Sequence, residues 1–146
     1  MKSILITCLL LAASGTIAMA QCDKKVTLTS SKTQYLDANG TVQQTVDEHD
    51  IFEITKAGIK ITINGDQIMT GTIGSKACDW QIPFKSGKTV ISAQLEDQSG
   101  DQKDATLTIE GKDGKVTLLA ELKNMPDRKI LIAIDKFEET ADTGQN

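Results

Sequence analysis

Aromatic residues, histidine, proline and positive charge are all scarce in this chain, and each scarcity removes a class of function. One Trp, one Tyr and three Phe make up the aromatics, and 16 Lys and Arg stand against 20 Asp and Glu. Nucleic acid and anionic membranes attract basic patches, and single strands are held on stacked aromatic rings. Neither feature occurs, so no nucleic-acid partner is expected. His49 is the only histidine, and no G-x-S-x-G stretch is present. A nucleophile activated by a histidine would therefore have to use His49. The expectation is a protein without catalytic residues, not an enzyme. The two prolines, Pro83 and Pro126, leave long stretches of backbone free to donate hydrogen bonds.

Apolar runs are short too, except at the start. Lys2 is followed by an apolar stretch from Ile4 to Ala13 relieved only by Thr7 and Cys8, then by Ser14-Gly15-Thr16 and Ala18-Met19-Ala20. A short apolar core and small residues before a cleavage point are the marks of a secretory signal peptide. Residues 1–20 are read as that signal, cut between Ala20 and Gln21. An uncleaved anchor would need roughly 20 apolar residues, and a lipid on Cys22 would want a small residue where Gln21 stands. Secretion or export to a periplasm is expected, with no membrane insertion after cleavage.

Cleavage removes Cys8 and Lys2, which takes the formal charge from -4 to -5 and leaves Cys22 and Cys78. In an oxidising compartment an even pair reads as a disulfide, and their wide spacing is unlike the C-x-x-C of redox-active thiols. Removing 20 of the 146 residues leaves 126, enough for one domain with one core.

From Lys25 onward apolar residues alternate with polar ones, the period of a half-buried strand. Ile59, Ile61 and Ile63 alternate with Lys60, Thr62 and Asn64, and Asn64-Gly65 supplies a turn. Ile91, Ala93 and Leu95 share a face, as do Ala105, Leu107 and Ile109, and as do Val116, Leu118, Ala120 and Leu122. Turns are expected at Asp37 to Gly40, Asp97 to Lys103, Gly111 to Gly114 and Asn124 to Asp127, with Pro126 suited to the first corner of a type I turn. A strand from Val26 toward Tyr35, a second ending near Ile54, one from Ile68 to about Ala77 and a last from Lys129 to about Phe137 bring the count to eight. The fold class is all-β, an antiparallel meander of about eight strands, most simply closed as an up-and-down barrel, which leaves no edges exposed. A β-sandwich is the alternative. The domain is expected over residues 21–137, with the polar, acidic stretch 138–146 as a disordered tail.

Four motifs invite a functional reading. In Asp47-Glu48-His49-Asp50, an extended chain sends Asp47 and His49 to one face and Glu48 and Asp50 to the other, so the four cannot surround one ion, and a solvated polar strand is expected. Glu96, Asp97, Asp101 and Asp104 crowd one turn but lack the ligand spacing of a calcium loop. Ser86-Gly87-Lys88-Thr89 ends like a phosphate-binding loop, yet Ile82 stands where the leading glycine belongs. Cys78-Asp79-Trp80-Gln81-Ile82-Pro83-Phe84 puts Cys78 and Trp80 on one face, and an aromatic cluster packed beside the disulfide is expected there rather than a stacking surface for a ligand. No metal site and no cofactor follow from these stretches, and Asn39-Gly40-Thr41 is read as turn chemistry.

The strand count and the export signal resemble small exported bacterial proteins of the lipocalin-like, or calycin, type. The first strand, Lys25-Val26-Thr27-Leu28-Thr29, carries no Gly-x-Trp, so no binding residue of that family is carried over. The resemblance implies a binding module whose barrel interior holds one small apolar ligand or is filled by side chains. The expected function is a non-catalytic secreted or periplasmic binding domain with a small apolar ligand or a protein partner. The alternatives are an envelope interaction or enzyme-inhibitor module acting through turns such as Asp97 to Lys103, and an enzyme relying on carboxylates.

Overall fold

Alternation at period two has one outcome along nearly the whole chain. The computed structural model describes residues 22–140, and within it eight strands follow one another: β1 (Lys25–Asp37), β2 (Val42–Ile54), β3 (Gly58–Ile63), β4 (Gln67–Ile82), β5 (Ser86–Glu96), β6 (Gln102–Lys112), β7 (Lys115–Leu122) and β8 (Arg128–Thr140). Each pairs antiparallel with its neighbour in sequence, and β8 returns to β1 to close the barrel. That closure, from Lys25 opposite Thr140 to Asp37 opposite Arg128, excludes the sandwich. The expected signal peptide, residues 1–20, falls outside the described residues.

Several boundaries differ from the sequence reading, and two of them bear on how the barrel closes. β8 runs to Thr140, so residues 138–140 belong to the wall rather than to a tail. Acidic side chains hid the strand, but Glu139 pairs with Lys24 at 2.6 Å and Glu138 with Lys136 at 2.8 Å, and the backbone there is laddered to β1. Residues 141–146 lie outside the described residues. The second difference is Gly111, which sits inside β6 rather than in a turn. The turn is Asp113-Gly114 alone, with φ of 53° and 78°, the left-handed pair a two-residue hairpin requires. At Pro126 the expectation holds: the Arg128 N–H donates to the Met125 carbonyl at 3.1 Å, which places Pro126 at the first corner.

The inner face is closely packed. Leu28, Ile54, Ile91, Leu107 and Leu118 are almost completely buried. A void beside Ile54, Ile91, Ile109 and Trp80 is about 20 Å³, room for about one water molecule. An eight-stranded barrel is at the size where side chains fill it, and here they do.

The closed end of the barrel is built by the β4–β5 hairpin. A bulge between Ile73 and Ser75 shifts the inward positions of β4 from odd to even numbers, so Cys78 and Trp80 both turn in. Cys22 meets Cys78 in a disulfide with Cα atoms 5.8 Å apart, spanning 56 residues of sequence. The Trp80 ring packs 4.8 Å from Phe84, which in turn lies against Phe137. Its indole N–H donates to Thr89 Oγ1 at 2.8 Å. Gly111 is a glycine because a Cβ there would come within 2.7 Å of Trp80 Cζ3. Ser86 to Thr89 are the start of β5, and Thr89 is used by Trp80, which leaves no phosphate loop.

Candidate functional site

The other end of the barrel has a different chemistry, and its geometry begins with a short strand. β2 pairs with β3 only from Asp50 to Ile54. Above that point residues 42–49 have β1 on one side and nothing of β3 on the other, so β2 overtops β3 as an arm held through β1, which stays laddered to β8 as far as Asp37. The last tie is Asn64: its N–H donates to the His49 carbonyl at 2.7 Å and its Oδ1 accepts from the His49 N–H at 2.9 Å.

Which side chains the arm turns inward is set by a bulge in β1. Val26, Leu28 and Ser30 face in, then the register with β2 slips between Ser30 and Lys32. Ser30 Oγ fixes the slip, donating to the Lys32 carbonyl at 3.1 Å and accepting from the Lys32 N–H at 3.2 Å. Beyond it Thr33 and Tyr35 face in, opposite Ile132 and Ile130 of β8. On β2 the even positions face in, so Glu48 and Asp50 join them. The sequence reading separated these two from Asp47 and His49 correctly.

Burial is where that reading is corrected. Asp50 is 3% exposed, not solvated. Its Oδ2 accepts from Thr33 Oγ1 at 2.9 Å, and its Oδ1 is buried with no partner among the described residues. Loss of solvent pushes the Asp50 carboxyl above its ordinary range; the Thr33 hydroxyl opposes this, Glu48 adds to it, and His49 opposes it. Tyr35 is pushed up as well, first by burial and then by the charges of Glu48 and Asp50, with a hydrogen bond to Glu48. The phenol therefore stays protonated beside these two carboxylates.

Beside this cluster opens a recess of about 800 Å³, lined by Tyr35, Gln44, Val46 and Glu48 of the arm, by Asn64, and by Arg128 at the start of β8, next to the end of β1. A larger depression of about 930 Å³ has a different position. Its lining includes Ser92, Gln94, Asp104 and Thr106, which alternate with the buried Ala93, Leu95, Ala105 and Leu107, and it touches Ala93 and Ala105 as well. It is an outer-wall groove edged by the β7–β8 turn, not the barrel mouth.

The remaining motifs resolve into structure. Among the described residues no three His, Cys, Asp or Glu side chains gather as a metal site. Asp97 in the crowded turn accepts from the backbone N–H groups of Ser99 and Asp101 at 2.9 and 3.1 Å. Desolvation acts on it in the opposite sense, but those bonds and Lys103 hold its carboxyl below the usual range. Asp37 caps the β1–β2 turn, accepting from the backbone N–H groups of Asn39 and Thr41 at 2.9 Å each. Cys22 and Cys78 are bonded to each other, which is compatible with an oxidising compartment. Comparison with protein-family models, with curated proteins and with solved structures finds no match for the chain. The barrel agrees with a lipocalin-like one only in strand number and up-and-down order.

Proposed function

We propose that this protein is a non-catalytic binding module of a secreted or periplasmic compartment, and that it works through the recess at its open rim rather than by enclosing an apolar ligand. One contrast carries the reading: the interior has a void of about 20 Å³, whereas the rim has a recess of about 800 Å³ faced by polar and charged side chains. A drug-sized ligand occupies roughly 300–1,000 Å³, so the rim has the room and the interior void does not. A non-catalytic role is supported by His49, the single histidine, which faces outward with its backbone tied to Asn64.

Hydrogen exchange of the purified chain, with and without fractionated extract of its own compartment, tests this. Protection confined to residues 35–48 and the neighbouring Asn64 is the expected result. Protection or methyl shifts at Leu107 and Leu118, deep in the interior, would overturn it.

A second reading, docking of a protein on the outer wall, is favoured by the groove of about 930 Å³ beside Met125, a methionine 36% exposed. It replaces the Asp97 turn as the surface for an inhibitor-like role, because the Asp97 carboxylate is spent on its own turn. Protection at Ser92, Gln94 and Thr106 would identify it.

A further inference from the structure

We propose that Glu48 and Asp50, together with the Tyr35 hydroxyl, form a seat for a primary ammonium group that enters through the rim recess; the proposal rests on reading that recess as the binding face. The first observation is an acceptor without a donor. Asp50 is 3% exposed, one oxygen takes the Thr33 hydroxyl, and the other has no partner among the described residues. An ionised carboxylate offers about four acceptor positions, and a buried one left partly empty is costly. Buried polar atoms of this kind ask for an explanation in a ligand, an ion or a water.

The second observation is a neighbour of the same sign. Glu48 lies on the same face of β2, two residues and therefore roughly 7 Å along the strand. It lines the recess, and Tyr35 faces both carboxylates from β1. Among the described residues neither Glu48 nor Asp50 forms an ion pair with Lys or Arg. Two carboxylates on one inner face without a paired cation make a local field that favours a positive ligand.

The shape of the donor set selects the cation. Divalent metals want six or more oxygens for calcium and a near-octahedral set for magnesium, and two carboxylates do not supply them. A guanidinium prefers both oxygens of one carboxylate, but Asp50 Oδ2 is occupied by Thr33. An ammonium has three N–H donors and no further demand. Asp50 Oδ1, a Glu48 oxygen and the Tyr35 oxygen supply three acceptors, and the Tyr35 ring adds a face for the charge. Glu48 and Tyr35 line the recess and Asp50 does not, so the group enters beside Tyr35 and reaches Asp50 Oδ1 by a small shift of that partly buried side chain, whose hydroxyl stays with the ammonium.

Such a group arrives on a free amine or on a lysine side chain, and the probes separate the two. The full mature chain is titrated, with NMR detection, with n-butylammonium, with lysine blocked at both backbone ends, and with tetramethylammonium, which has charge but no N–H. Saturable shifts at Thr33, Tyr35, Glu48 and Asp50 with either of the first two are expected; the better of these identifies the source. Asp50→Asn keeps the acceptor for Thr33 and should weaken binding at least tenfold, and Glu48→Gln several-fold. Equal binding of tetramethylammonium, shifts spread over the acidic surface, or unchanged affinity in Asp50→Asn would overturn the proposal. If compartment extract still protects residues 35–48 in that case, the ammonium seat fails while the rim reading stands.

Discussion

Replacing Asp50 by Asn should stabilise the protein at neutral pH. Asp50 is buried, its Oδ2 holds the Thr33 hydroxyl at 2.9 Å, and its Oδ1 has no partner among the described residues. Asparagine has nearly the same shape and retains an oxygen for Thr33, but it carries no charge to desolvate. An unsatisfied buried polar group costs about 1–3 kcal/mol, and a charged one more. Removing the charge while leaving an amide in the same site should recover about 1–2 kcal/mol, or roughly 4–8 °C in Tm for a domain of this size. The pH dependence gives the sign independently. Because burial raises the Asp50 carboxyl above its unfolded range, the folded state binds the proton more tightly. Its contribution is fully favourable at pH below the unfolded value and is lost as pH rises through the raised folded value. The advantage of Asp50→Asn should therefore vanish near pH 3 and grow toward pH 7, as roughly the model-peptide range of Asp is passed. Urea unfolding at several pH values measures both. A less stable Asn variant at pH 7 would refute the reasoning, and would mean that the carboxylate is satisfied by a bound cation.

Opening the Cys22–Cys78 bridge, by reduction or by Cys22→Ser with Cys78→Ser, should lower stability by about 4 kcal/mol on the loop-entropy scale for a bridge of this span; equal urea midpoints would contradict this. Gly111→Ala drives a methyl group into Trp80, within 2.7 Å of Cζ3, and should cost about 1–3 kcal/mol. Combining it with Trp80→Phe should cost less than the sum of the two single changes in thermal unfolding. Thr89→Val leaves the Trp80 indole N–H without its acceptor at 2.8 Å, an expected loss of about 1–2 kcal/mol seen in the same assay.

How far the sequence reaches can be followed residue by residue. Ile59, Ile61 and Ile63, or Ala105, Leu107 and Ile109, declare their strands because one face is buried and the other wet, and a slip of one residue would exchange the faces. Gly111 misleads because glycine is common in turns, whereas here it makes room for a ring contributed by β4, a contact no local pattern carries. The extension of β4 to Ile82 is masked by the bulge after Ile73, where the alternation changes phase. Asp50 is the most instructive case. Its direction follows from strand geometry, but its burial depends on β8, β1 and β2 curving around it, and on the Ser30 bulge that brings Thr33 within reach. The recess was not legible for a similar reason: it exists because β3 stops at Ile63 while β1 and β2 continue, a difference of strand lengths across the barrel.

The central claim is that the interior is filled and the open rim is the binding face. Methyl NMR during titration with a long-chain fatty acid tests it directly, since Leu28, Ile91, Leu107 and Leu118 report from the interior. Unshifted interior methyls at saturating fatty acid are the result the account expects. Saturable shifts at those four positions, with one equivalent bound, would contradict it and return the interior to the role of ligand site.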